Sequence, residues 1–312
     1  MRLAQLRPGR LSSAGFLVAS KATPGHLGPY RLLSVVHTSP IGRLWQAYHE
    51  GLGQTFALKT LLEQYAGDRE KVGYLKWEYA VGERLVHPRV IRVHEFAMDR
   101  QGPYLAMEWF AAPNLKHRIQ QGIEAIAPLI PKIVLQAAEA LAYFNSQGWV
   151  HRDVKPENFL VNDEGDVKLI DFALAQRRRT GLLRLFAPKA RRVQGTCSYI
   201  SPEQIRGWPL DERADLYGLA CTFFELCAGK PPFAGATVNE LLTKHLRSPP
   251  PRLDTVNECV SCEFGELIRQ AMAKDPANRP ASTQEFLRQL QGVRIWRRMP
   301  NTPQAAKKAE AP

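Results

Sequence analysis

No stretch of the chain approaches the ~20 consecutive apolar residues that a membrane-spanning helix requires, so no transmembrane segment is expected. Cysteine is sparse: there are five. Cys259-Val260-Ser261-Cys262 has a C-x-x-C spacing but no second pair and no adjacent histidines, which argues against a zinc site. Cys221 and Cys227 fall in an apolar run and suit a core. With no disulfide pattern, a reducing, cytoplasmic setting is expected. Acidic residues are missing from two stretches and nearly so from a third. Residues 1–29 hold four basic residues and no acidic one, residues 172–201 seven and none, and residues 291–312 five and one. Together these stretches carry +15, against a net charge of +12, so the rest of the chain stands at −3. Basicity confined to two ends and one internal segment argues against a dedicated nucleic-acid-binding domain, whose charge would cover a folded face. It leaves those segments for acidic partners.

The chain of 312 residues suits one enzyme domain with short tails. The run Ala14-Gly15-Phe16-Leu17-Val18-Ala19 is a poor signal-peptide core, and residues 1–29 read as a disordered tail rather than a transit peptide. Residues 30–290 are expected to form the folded domain, and residues 291–312 a second basic tail.

What is present is concentrated in His151-Arg152-Asp153-Val154-Lys155-Pro156-Glu157-Asn158, with Asp171-Phe172 thirteen residues beyond Asn158. Phe159-Leu160-Val161 and Val167-Lys168-Leu169-Ile170 have strand composition, and Asp163-Glu164-Gly165-Asp166 between them reads as a turn. Asp153 and Asn158 are thus held before a hairpin and Asp171 after it. That arrangement suits phosphoryl transfer. Asp153 can accept the proton of an attacking hydroxyl, and Asn158 and Asp171 can hold Mg²⁺. Lys155 can neutralise charge on the transferred group.

The eight-residue run resembles the H-R-D-L-K-P-E-N catalytic loop of the protein kinase superfamily, specifically the eukaryotic-like Ser/Thr kinases of bacteria, with Val154 in place of leucine. The resemblance implies an α+β, two-lobed fold: a small β-rich N-lobe with one main helix (residues 30–110) and a larger helical C-lobe (residues 111–290). It implies ATP and Mg²⁺ or Mn²⁺ as cofactors and a protein Ser/Thr hydroxyl as acceptor, Lys155 favouring Ser/Thr over Tyr. Phe56-Ala57-Leu58-Lys59 resembles the family's V-A-I-K strand, with Ala57 against adenine and Lys59 on the phosphates. Glu78 stands nine residues before His87-Pro88, the spacing of the family's helix glutamate, and is the expected partner of Lys59. A helix is expected over Tyr74–Val86, with Leu75, Tyr79 and Leu85 inward. Met107, Glu108 and Phe110 resemble the hinge, and Val36, Leu44 and Leu160 fall where the family encloses the adenine.

Several positions depart from the family. Of the glycines in G-x-G-x-x-G-x-V only Gly42 remains; His37 and Ser39 replace the others and Pro40 follows. Proline has no N–H to offer a phosphate, although Ser39 could donate its hydroxyl. Gly82 stands where the family has a bulky apolar residue, and Ala173 where D-F-G has glycine. Thr180 is the first candidate for loop phosphorylation, followed by Thr196 and Ser198; Arg152 resembles the arginine that receives such a phosphate. The segment 195–203 looks like the family's G-T-P-x-Y-x-A-P-E platform, and a buried Glu203–Arg279 pair is expected. The second reading is a pseudokinase acting as a scaffold, drawn from His37, Ser39, Pro40, Gly82 and Ala173. The third is a small-molecule kinase, against which the Ser201-Pro202-Glu203 and Arg279 motifs count.

Overall fold

The computed structural model describes residues 25–178 and 197–300. Six strands come first: β1 (His26–Leu27), β2 (Tyr30–Thr38), β3 (Gly42–His49), β4 (Gln54–Leu61), β5 (Val93–Asp99) and β6 (Gly102–Glu108). They form one antiparallel sheet in the order β1-β2-β3-β4-β6-β5. The two faces of β4 divide as a period of two requires. Phe56 and Leu58 join a small aromatic cluster with Tyr30 and Tyr104, while Ala57 faces the main core with Leu105 and Met107.

Helix α1 (Arg69–Gly82) packs across β5 and β6. It begins earlier than the apolar spacing suggested, because the Asp68 carboxylate caps the Glu70 and Lys71 N–H groups. It also ends earlier, at Gly82 rather than Val86. Leu85 is still buried, from the turn that follows.

The second lobe is built on two long helices. Helices α2 (Leu115–Gln120) and α3 (Ile123–Ile126) lead to α4 (Ile130–Ser146), whose apolar stripe is buried as its periodicity predicts. The short strands β7 (Trp149–Val150), β8 (Phe159–Val161), β9 (Val167–Leu169) and β10 (Gln176–Arg177) follow. β8 pairs with β9 around Gly165, which takes the left-handed φ of 76° that the turn needs. Helix α5 (Pro202–Arg206) precedes α6 (Glu212–Ala228), which is buried from Ala214 to Cys227. Asp211, rather than Asp215, caps α6. Helices α7 (Val238–Arg247), α8 (Leu253–Val256), α9 (Cys262–Ala271) and α10 (Thr283–Gln291) complete the lobe. Cys221 and Cys227 are buried and free, and no cluster of His, Cys, Asp or Glu among the described residues could by itself hold a metal.

Both expected domain boundaries move outward. β1 adds an edge strand within the stretch read as a tail. At the other end, Ile295 and Trp296 are buried, and the Trp296 indole donates to the Ala127 carbonyl at 3.0 Å. Apolar residues in otherwise basic sequence made that return invisible to composition. Residues 1–24 and 301–312 lie outside the described residues.

The lobes are tied where the chain crosses. The Ile91 N–H donates to Leu169 O at 2.9 Å, and Lys168 pairs with the hinge carboxylate of Glu108 at 2.7 Å. Deep in the second lobe the expected Glu203–Arg279 pair is present and two-pronged, at 2.6 and 2.9 Å. Arg279 also donates to the Arg213 and Ala273 carbonyls. Arg279→Ala would strand a buried carboxylate. It is expected to cost about 3–5 kcal/mol of unfolding free energy, read by urea denaturation; a loss below about 1 kcal/mol would mean the pair is dispensable.

Candidate active site

The catalytic-loop sequence takes its shape from α6. Asp215 is 1 % exposed and accepts the backbone N–H of His151 at 2.7 Å, that of Arg152 at 2.8 Å, and the Asn145 amide at 2.8 Å. Burial raises its pKa, opposed by His151 and by these hydrogen bonds. Asp215 lies one turn into α6, and nothing local in the sequence links it to Asn145 or to the loop. The signal available was a carboxylate set among the apolar residues of the helix. The reward for this anchor is a strained backbone. Arg152 at φ 71° and Asp171 at φ 66° are the only non-glycine residues among those described with positive φ. Such positions cost ~1–3 kcal/mol each and persist only where neighbours enforce them.

Beyond the anchor, the predicted polar groups meet in two sets. In the first, Lys59 Nζ lies 2.7 Å from Glu78 and 3.5 Å from Asp171. Burial would lower the Lys59 pKa, but the Asp171 and Glu78 carboxylates outweigh it and raise it. Burial acts on Glu78 in the opposite sense and raises its pKa against the pull of Lys59. For Asp171, burial is overridden by Lys59, with His151 and Lys155 behind it, so its pKa is lowered. In the second set, Lys155 Nζ lies 2.6 Å from Asp153, and the Asn158 amide nitrogen donates to Asp153 O at 2.7 Å and to its carboxylate at 3.3 Å. This orients the Asn158 amide with nitrogen toward Asp153, leaving Oδ1 as the atom for a cation. The sets adjoin, since the N–H of Ile170, next to Asp171, donates to Asn158 O at 3.0 Å.

The remaining predicted residues lie on β2, β3, β4, β6 and β8 and just after β6. Ala57 is directly opposite Met107 in the β4–β6 register, and both are buried. Leu44 pairs with His37 beside a bulge in β2 that contains Val36, which is exposed. Phe110 is half-buried near Lys168, and Leu160 bridges to Asn114. The Glu108 side chain turns away to Lys168 and the Arg92 N–H, and its own N–H donates to Arg92 O at 2.8 Å.

Departures from the family pattern have local explanations. Ser39 closes its own turn: Oγ accepts the Gly42 N–H at 3.0 Å and donates to Gly42 O at 3.1 Å. The donors that a glycine-rich loop would present are spent within the turn, and the hydroxyl expected to face a phosphate is engaged there too. A Cβ on Gly42 would lie 2.3 Å from Thr60 O, so its glycine is required by the approach of β4. Ala173 avoids positive φ and donates its N–H to Asp171 at 3.4 Å. Ser201 caps α5 in a capping box with Gln204, whose amide reaches the Arg152 carbonyl at 2.8 Å. Tyr199 donates to buried Glu225 at 2.5 Å, and Lys116 completes that group. Of the basic segment, Arg177 lies on the Trp149 ring at 4.1 Å and Arg178 pairs with Glu212 at 2.5 Å, so the domain itself engages both. Thr180, Thr196 and the other basic residues of that loop lie outside the described residues.

A protein-family model described as "Protein kinase domain" matches residues 38–290. The chain belongs to the protein kinase family. Among curated proteins, the kinase is 32 % identical to serine/threonine-protein kinase pkn3 of Myxococcus xanthus, over 90 % of this chain and 53 % of that protein. It is 31 % identical to serine/threonine-protein kinase PknA of Mycobacterium tuberculosis, over 89 % of this chain and 64 % of that protein. It is 30 % identical to serine/threonine-protein kinase PrkC of Bacillus subtilis, over 83 % of this chain and 39 % of that protein. This chain therefore spans between two fifths and two thirds of the length of these relatives. No helix among the described residues is long and apolar enough to cross a membrane.

Gly82 shows how the kinase docks α1. A Cβ there would meet Val93 Cγ2 at 2.4 Å and Phe172 Cδ2 at 3.2 Å. The space of the absent side chain is filled from β5 and from Phe172, not left empty. Because Gly82 is the last helical residue, little helix propensity is lost. Restoring bulk with Gly82→Leu is expected to destabilise the domain by about 1–3 kcal/mol through overpacking. Gly82→Leu with Val93→Ala should recover most of it. Equal destabilisation in both backgrounds, by urea midpoint, would show that Val93 does not occupy that space.

Proposed function

We propose that this kinase is an ATP- and Mg²⁺-dependent protein Ser/Thr kinase that passes the γ-phosphoryl group of ATP to a Ser or Thr hydroxyl. The observation that carries this reading is the adjacency of the two polar sets, Lys59–Glu78–Asp171 and Asp153–Lys155–Asn158. The relatives' printed names point the same way.

The donors fit Mg²⁺. It takes oxygen ligands and keeps several sites for water and phosphate, so one carboxylate and one amide oxygen suffice from the protein. Asp171 and Asn158 would hold it, and bound Mg²⁺ supplies charge neutralisation on the phosphates. Lys59, fixed by Glu78, is directed at the phosphates of ATP. Ala57, Met107 and Leu160, with the roof at Val36, Gly42 and Leu44, enclose the adenine, and the backbone of Glu108 to Phe110 offers it hydrogen bonds. Asp153 takes the proton of the acceptor hydroxyl as its oxygen bonds to Pγ. The bond from Pγ to the β-bridging oxygen breaks, and ADP leaves with that electron pair. Lys155 balances charge on the phosphoryl group in transit.

Asp153→Asn, Lys59→Met and Asp171→Asn are each expected to lower phosphotransfer by about two to four orders of magnitude while circular dichroism stays native. Transfer of labelled phosphate from ATP with Mg²⁺ or Mn²⁺ to a Ser/Thr-containing protein checks this. Full activity in any of the three would remove that residue from its role.

The self-closed Ser39 turn favours a second reading, a scaffold without catalysis. The two readings separate on the roof. If the turn only withholds donors, His37→Gly, Ser39→Gly and Pro40→Gly together should improve kcat/KM for ATP about tenfold or more. If neither wild type nor the triple variant binds Mg·ATP by calorimetry, the scaffold reading takes first place.

A further inference from the structure

We propose that Trp77 is a positioning residue that couples α1, and through it the Lys59–Glu78 pair, to the backbone just beyond Asp171. Trp77 immediately precedes Glu78 on α1. It is 40 % exposed, yet its indole N–H is committed to the Ala175 carbonyl at 2.8 Å, ninety-eight residues along the chain. The edge of its ring meets the Trp149 ring at 5.7 Å and 83°. Trp149 also carries the Arg177 guanidinium, 4.1 Å from its ring centroid. β7 and β10 hold Trp149 opposite Arg177 and Val150 opposite Gln176. Arg178 N–H donates to Gly148 O at 2.8 Å. The segment after Asp171 is thus fastened to the second lobe by a short ladder, and α1 meets that segment through the Trp77 indole as well as through Phe172, which lies against Gly82 and hydrogen-bonds Glu78 by its backbone.

That the tie is local matters. Around it the two elements do not pack solidly: a cleft of about 340 Å³ separates them, lined by Glu70, Tyr74, Trp77, Arg152 and Leu174 among others. On the cleft side α1 is held through Trp77, so shortening that side chain frees that side of the helix while its packing on β5 and β6 stays. Glu78 would move with it, because the two residues are consecutive. The contacts that hold α1 here are a neutral hydrogen bond and ring packing, so this coupling operates without any charge added to the loop.

Two measurements test this, one independent of catalysis. The first follows the rate at which an amine-reactive reagent labels Lys59, by mass spectrometry. With Glu78 in place the ammonium is held; when the pair opens, labelling accelerates. Trp77→Phe keeps a ring but loses the donor, and Trp77→Ala loses both. Labelling should rise about threefold or more in the first and further in the second, approaching Glu78→Gln. In the Glu78→Gln background, Trp77→Phe should add nothing, since both act on one contact. Wild-type labelling in Trp77→Ala, or additive effects in the double variant, would overturn the proposal. The second measurement rests on the phosphotransfer reading: kcat should fall in Trp77→Phe by a similar factor, with a smaller change in KM for the protein substrate. If wild type transfers no phosphate, that reading fails while the labelling result still stands. Unchanged kcat with accelerated labelling would overturn only the link to catalysis, and a native circular-dichroism spectrum in Trp77→Phe excludes general unfolding as the cause.

Discussion

The structure depends first on a buried carboxylate that accepts backbone hydrogen bonds. Asp215 holds the His151 and Arg152 N–H groups from within the core helix of the second lobe. An unpaired charge at that depth would be prohibitive, so the loop and the helix specify one another. Because the loop is gripped by its backbone, its side chains are left for other work. Asp153, Lys155 and Asn158 then find each other at hydrogen-bonding distance. The positive φ at Arg152 is a visible cost of that grip.

The first lobe reaches the same point by a different route. Lys59 sits on a rigid strand, whereas Glu78 sits on a helix whose placement is set by what it touches. On one side Gly82 allows α1 to lie close on Val93 and Phe172. On the other the helix spans a cleft through Trp77. The first contact is tight and apolar; the second is a single directional bond.

Much of this was legible in the sequence, where chemistry and spacing coincide. The run from His151 to Asn158, Lys59 in its strand and Glu78 before His87-Pro88 could be read because fixed offsets in sequence become fixed offsets in space. The Glu203–Arg279 pair was expected from the family resemblance, since 76 residues separate its partners. Other features depend on partners distant in sequence. Asp211 caps α6, whereas Asp215, four residues on, finds its partners in the backbone of residues 151 and 152 and the Asn145 amide. Gly82 stood out as a missing bulky residue, but nothing in its vicinity announces that Val93 fills the space. Trp296 lies in a basic stretch and gave no periodic signal, although it reaches Ala127 across the lobe. Trp77 resembled any tryptophan on a helix surface. Contact across ninety-eight residues leaves no local trace.

The closed turn at Ser39 bears on ligand selectivity. A roof whose N–H groups are already satisfied offers a triphosphate little and takes nothing from a ligand that has no phosphates at all. On the phosphotransfer reading, discrimination in favour of nucleotide then falls to Lys59, Asn158 and Asp171 alone. A flat, uncharged heterocycle that fills the space between Ala57 and Leu160 forgoes fewer contacts here than under a glycine-rich roof. It therefore competes on more even terms, and the site is inherently more open to displacement by adenine-like inhibitors than its cofactor chemistry suggests.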